Sequence, residues 1–202
     1  MADLTALRHA PLAHLAGRML MGGGPVMEGG RVRLEERPFL AMASIRVDPA
    51  SEAAGRICAA LGAPLPAGCG ETAASGPHTA LWLGPDEWLV VSETDPDVLT
   101  RPLVEALGPD HGAVVDVSAN RTVLELSGAA ARAVLQKGCP VDLHPRAFGA
   151  GRAVATTLAR VPLVLWQSGP ATYRLLPRSS FADYVARWLL DAMREFRVPP
   201  ST

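Results

Sequence analysis

The sequence repeats itself. Leu81-Trp82, Gly84-Pro85 and Trp88 recur in the same order as Leu165-Trp166, Gly169-Pro170 and Tyr173. Each set is preceded by a strand-like and a helix-like segment and followed by another helix-like segment. A duplicated block constrains the fold strongly, because both copies must solve the same packing problem. The order is strand, helix, strands, helix, stated twice. Such runs predict an α+β fold built from two ferredoxin-like units, with antiparallel sheets and helices on one side of each. The expected organisation is an N-terminal arm at 1–30, a first α+β half at 31–112 and a second at 113–202.

Within the first half, Arg31 to Asp48 reads as one long strand or two short ones broken near Pro38. Asp48-Pro49 carries the residues of a helix start, with Asp as cap and Pro in the first turn. Ala54, Ile57, Cys58 and Leu61 share a helix face that Gly62 terminates, and Ala63 to Pro77 reads as loop. Thr79 to Val91 holds two strands around a Leu83–Glu87 connection. A helix toward Leu107 opens at Asp95-Pro96, and Pro102 predicts a late start or a kink in it.

The second half opens on Val114 to Phe148. Val114, Val115 and Val117 lead into a strand that Val123, Leu124 and Leu126 continue after the polar Ser118-Ala119-Asn120-Arg121. Ser127 is placed to cap a helix bearing Ala131, Val134 and Leu135, and Gly138 to end it in a left-handed conformation. Strands follow over Ala153–Ala159, Leu163–Gln167 and Thr172–Leu176. The last helix carries Phe181, Tyr184, Val185, Trp188, Leu189, Ala192 and Met193 at helical spacing.

The arm has its own pattern. Leu12, Leu15, Ala16, Met19 and Leu20 form one face of a short helix, tethered by Gly22-Gly23-Gly24-Pro25 and Gly29-Gly30. About 12–15 residues are marginal as an isolated helix, so this one must pack on something. It either docks on another chain or folds back on its own domain.

Charge and chemistry narrow the function. A hydrophobic content of 49% supports a core, and a net charge of -1 without a basic stripe argues against nucleic acid. No apolar run approaches the ~20 residues that span a bilayer. Cys58, Cys69 and Cys139 are odd in number and irregular in spacing, which predicts reduced thiols and a cytoplasmic location. The five histidines are scattered, and neither a zinc pattern nor a phosphate or dinucleotide loop is present. No cofactor or metal is therefore expected on the chain, and no catalytic set emerges.

Seven residues stand out as structural or interface candidates: Asp116, Arg121, Lys137, Cys139, Asp142, His144 and Arg146. Asp116 and Arg121 bracket the polar break, and either position a ligand carboxylate or staple a bulge. Cys139 follows a helix C-terminus, where the dipole raises a thiol pKa, while Lys137 acts the other way if it points inward. Asp142, His144 and Arg146 lie in an irregular segment and serve either as its own hydrogen-bonding groups or as a partner contact.

Several of these residues also carry a resemblance. Asp116-Val117-Ser118 with Arg121, Leu124 to Gly128, Lys137-Gly138-Cys139-Pro140-Val141-Asp142-Leu143-His144-Pro145 and Phe148-Gly149 form its centre. Leu165-Trp166, Arg178 to Tyr184 and Trp188-Leu189 extend it. From Arg37 to Phe196 the chain resembles the gamma-subunit family of heterotetrameric sarcosine oxidases. More distantly it is similar to the glycine-cleavage T-protein, whose aminomethyltransferase fold binds tetrahydrofolate. The resemblance implies alpha, beta and delta partners in a complex that demethylates sarcosine to glycine, with formation of hydrogen peroxide and 5,10-methylenetetrahydrofolate. It places FAD and FMN on the alpha and beta chains, NAD on alpha and zinc on delta, and leaves this chain an architectural role. Folate-linked iron–sulfur maturation proteins share Lys-Gly-Cys, but Pro140-Val141-Asp142 departs from their continuation. The rival expectations are a stand-alone folate-binding or aminomethyltransferase-like protein, and a homo-oligomeric scaffold.

Overall fold

The computed structural model describes residues 7–23 and 32–196. The first half contains β1 (Arg33–Glu36), β2 (Ala41–Val47), α2 (Glu52–Leu61), β3 (Thr72–Ser75), β4 (His78–Gly84), β5 (Glu87–Ser92) and α3 (Pro96–Leu107), preceded by α1 (Ala16–Gly23). The second contains β6 (Gly112–Asp116), β7 (Leu124–Ser127), α4 (Ala131–Gln136), β8 (Arg152–Leu158), β9 (Val161–Gly169), β10 (Thr172–Pro177) and α5 (Ala182–Ala192). The two runs match element for element, as the internal repeat predicts. Trp82 and Trp166 occupy equivalent strands, as do Trp88 and Tyr173.

Two five-stranded antiparallel sheets result, ordered β6-β2-β5-β4-β3 and β1-β7-β10-β9-β8. The leading strands are exchanged. β1 precedes β2 but pairs with β7, and β6 precedes β7 but pairs with β2. The chain therefore crosses between sheets twice, over Arg37–Leu40 and over Val117–Val123. The polar break at Ser118–Arg121 is this second crossover, and not an interruption within one strand.

Alternation along the strands explains the layering. On β2, Ala41, Ala43, Ile45 and Val47 face a core with α2 and α3, while Met42 faces the other sheet. On β9, Leu163 and Leu165 join a core with α4 and α5, while Val164 and Trp166 face inward. The arrangement is helices, sheet, sheet, helices. Between the sheets, Ala153 N donates to Gly70 O at 3.1 Å and Thr72 Oγ1 to Gly151 O at 2.6 Å, joining the β3 and β8 edges.

The N-terminal helix packs on its own domain. Leu12, Leu15 and Met19 are buried in the second-half core, whereas Leu20 is exposed. His14 Nε2 also meets Asp183 Oδ1 at 2.7 Å on α5. The glycine connector from Gly24 to Gly30 lies outside the described residues.

Local expectations differ in several places. Ser51, not Asp48, caps α2 by accepting from Ala54 N; Asp48 instead accepts from Ala50 N in the preceding turn. The 63–77 loop contains β3, whose Thr-Ala-Ala-Ser lacks the bulky apolar residues that mark strands. α3 runs unbroken past Pro102, which sits on its exposed face, where water can satisfy the freed carbonyl. Ser127 ends β7, and the following helix starts four residues later, at Ala131, without a side-chain cap.

Gly138 is not left-handed, since it is absent from the residues with positive φ. Its requirement is spatial: a Cβ there would lie 2.6 Å from Trp188 Cζ2 on α5. The hairpin Ala159-Arg160 does take positive φ, at 48° and 72°, with neither residue suited to it.

Candidate functional site

The two crossovers and the N-terminal segment enclose a cleft of about 320 Å³. Arg8, His9 and Pro11 of the N-terminal segment line it, as do Phe39 from the first crossover and Pro96 at the start of α3. The end of β6 supplies Asp116, the second crossover supplies Ser118, Arg121 and Thr122, and Ser179 lines the cleft as well. Both residues that bracket the polar break in the sequence therefore meet in one cavity.

They do not meet as an ion pair. Asp116 Oδ1 accepts from its neighbour Ser118, from the backbone N at 2.9 Å and from Oγ at 2.5 Å. That turn fixes the crossover where it leaves β6, and Ser118 Oγ also accepts from Met42 N at 2.9 Å. Arg121 Nη1 donates to Leu176 O at 2.9 Å, and the backbone of Arg121 bridges to that of Arg178. Burial, and then the charge of Arg178, lower the pKa of this half-buried guanidinium, with Glu87 acting weakly the other way. Among the described residues Arg121 has no carboxylate within salt-bridge distance. The staple reading thus fails as a pair and survives as two separate backbone anchors.

Two features that the sequence pattern did not mark shape the cleft, one behind its lining and one in it. Glu36 holds the walls together: Oε2 accepts from Leu12 N at 3.1 Å and Oε1 from the buried Thr122 hydroxyl at 2.7 Å. Phe39 has φ of 62° and is 51% exposed. A left-handed backbone costs a side-chain-bearing residue about 1–2 kcal/mol, and this one turns an aromatic ring toward solvent at the cleft. The Pro38-Phe39 dipeptide does signal a turn, but not its handedness.

The other candidates lie elsewhere. Lys137 Nζ donates to Ala192 O at 2.5 Å, pairs with Glu195 and lies 5.0 Å from the Phe196 ring centre, so it closes the C-terminus of α5. Cys139 is half-buried against the second-half core. Burial pushes its thiol pKa up, partly countered by hydrogen bonds from Val141 and Thr156. Asp142 accepts from His144 N at 2.9 Å and His144 Nδ1 from Arg146 N at 3.2 Å, while Leu143 and Phe148 anchor the same loop in the core. These polar groups satisfy their own backbone. Among the described residues, no three His, Cys, Asp or Glu side chains converge as a metal site. No helix there is long and apolar enough to cross a membrane.

The comparisons with known proteins place this geometry. The family described as "Sarcosine oxidase, gamma subunit family" matches residues 44–195. The chain belongs to that family. It is 47% identical over 198 residues to a sarcosine oxidase subunit gamma from Arthrobacter sp, covering 98% of this chain and 95% of the relative. The corresponding subunit of Corynebacterium sp. strain U-96 is also 47% identical, over 197 residues. A chain of the heterotetrameric sarcosine oxidase from Corynebacterium sp. U-96, solved in complex with pyrrole 2-carboxylate, superposes with a TM-score of 0.89 at 44% identity. That match covers 97% of this chain and 100% of that one. Glycine cleavage system aminomethyltransferase T from Bartonella henselae superposes at 0.67 with 15% identity, covering 93% of this chain and 58% of that one. This second likeness establishes a shared fold. The gamma-subunit family thus presents an aminomethyltransferase-like double sheet.

Proposed function

We propose that this chain is the gamma subunit of a heterotetrameric sarcosine oxidase and acts in its architecture. The observation that carries the reading is identity of 47% sustained over 98% of the chain, joined to a TM-score of 0.89. The reaction is the oxidative demethylation of sarcosine to glycine, with hydrogen peroxide and, when folate is supplied, 5,10-methylenetetrahydrofolate as products. FAD, FMN and NAD belong to the alpha and beta chains and zinc to delta, and the complex works in the cytoplasm. On this reading the gamma chain holds the large subunits in register and contributes no reacting group. Its double sheet suits that role, since each sheet takes an edge strand from the opposite half. The stand-alone folate-binding alternative is not favoured, because the near-full-length relatives are oxidase subunits.

A tagged pull-down from the native host tests the proposal. A yellow eluate with three partner chains and sarcosine-dependent oxygen uptake is expected. A colourless single chain would overturn it.

A further inference from the structure

We infer that the crossover cleft is a docking site for a partner-chain segment presenting a carboxylate beside an apolar side chain. The inference rests on the subunit reading and adds where contact is made and with what chemistry. Two independent observations carry it. Arg121 is a half-buried cation with one donor committed to Leu176 O and no carboxylate partner among the described residues, and Arg8 lines the same cleft. A guanidinium can engage a carboxylate through two parallel N–H donors, a geometry that gives both strength and direction. Asp116, the carboxylate in the cleft lining, is occupied by Ser118 and does not satisfy Arg121. The second observation is Phe39. Its backbone is held in the left-handed region while its ring is left half in water at the rim, beside Pro11 and Pro96. Strain retained to expose an aromatic ring marks an anchor for something outside the fold. An anchor ring and an unmatched arginine lining one cleft specify an occupant with one apolar and one acidic group. Arginine and aromatic residues are the side chains that dominate binding at protein interfaces.

The test is competitive incorporation. Wild-type and variant chains are co-expressed in equal amounts with the host's partner chains. The complex is then captured on a partner tag and the two forms are counted by mass spectrometry. Phe39→Gly is the informative variant, because glycine accepts the left-handed backbone. Its isolated thermal midpoint should stay within about 3 °C of wild type, as lost packing and relieved strain offset each other. Its share of the complex should nevertheless fall by about 30-fold, as for an interface hot spot. Arg121→Gln should be under-represented to a similar degree with its circular dichroism unchanged.

Equal incorporation of both variants would overturn the inference while leaving the subunit reading intact. Failure of the wild-type chain to enter any complex would instead strike the subunit reading. If Asp3 and Leu4 of this chain fill the cleft, Asp3→Asn will destabilise the isolated chain and Arg121→Gln will add nothing further. That outcome also overturns the inference.

Discussion

Replacing Gly138 with alanine isolates a single steric contact. The added methyl would lie 2.6 Å from Cζ2 and 2.9 Å from Cη2 of Trp188, with Ala159 N at 3.4 Å behind them. Trp188 sits on α5, partly buried against the second-half core, so displacing its ring disturbs that packing. Insertion of one methyl into such a site costs about 1–3 kcal/mol. For a domain of this size each kcal/mol lowers the midpoint by about 2–4 °C, so Gly138→Ala should lose about 2–12 °C in a thermal melt. Trp188→Phe removes the two offending atoms. The double variant Gly138→Ala with Trp188→Phe should therefore be more stable than the sum of the single losses by about 1–2 kcal/mol. Strict additivity would refute the contact argument and indicate that glycine is required for backbone reasons after all.

Four further outcomes are expected. Leu12→Ala should destabilise the isolated chain by about 2–5 kcal/mol in urea unfolding, because Leu12 is fully buried in the core; no change would return the N-terminal segment to the status of a free arm. Ala159→Asn with Arg160→Gly should raise the midpoint by a few degrees, since both positions hold positive φ in a two-residue hairpin turn. The hydrogen bonds of Asp183 to Arg187 and then His14 depress its carboxyl pKa, so its stabilisation is present above the unfolded carboxylate value and lost as pH falls through the folded one. The stability gap between wild type and Asp183→Asn should thus close as the pH is lowered through the carboxylate range. Finally, burial raises the Cys139 thiol pKa, so iodoacetamide at neutral pH should modify the exposed Cys69 well before Cys139, as read by peptide mass spectrometry.

The internal repeat made the architecture legible, because Trp82, Trp88, Trp166 and Tyr173 sit at packing positions that any copy of the unit must fill. Periodicity also located α5 and the α2 face ended by Gly62, which does adopt φ of 70°. It failed where local pattern and tertiary context diverge. The exchange of β1 and β6 is invisible to a reading that assigns consecutive strands to one sheet. Glycine has two uses, and the local pattern marks Gly138 as a helix stop because the distant Trp188 ring cannot be seen from residues 131–140. Asp116 and Arg121 stand out by their oddity within an apolar run. Their sorting into two backbone anchors depended on Ser118 and Leu176, partners that sequence proximity does not rank. Glu36 and Phe39 carried no periodic signal at all.

The strand exchange has a consequence for how the molecule is made. β1 is synthesised early, yet its pairing partner β7 emerges only after the whole first half. The first sheet likewise lacks its β6 edge until the ribosome has passed Asp116. Neither half can be finished before the other has begun, so a split between α3 and β6 would leave two fragments with reciprocal vacancies. Expressed together, such fragments should recombine into one particle. Expressed singly, each would carry an open strand edge available to whatever chain it met first.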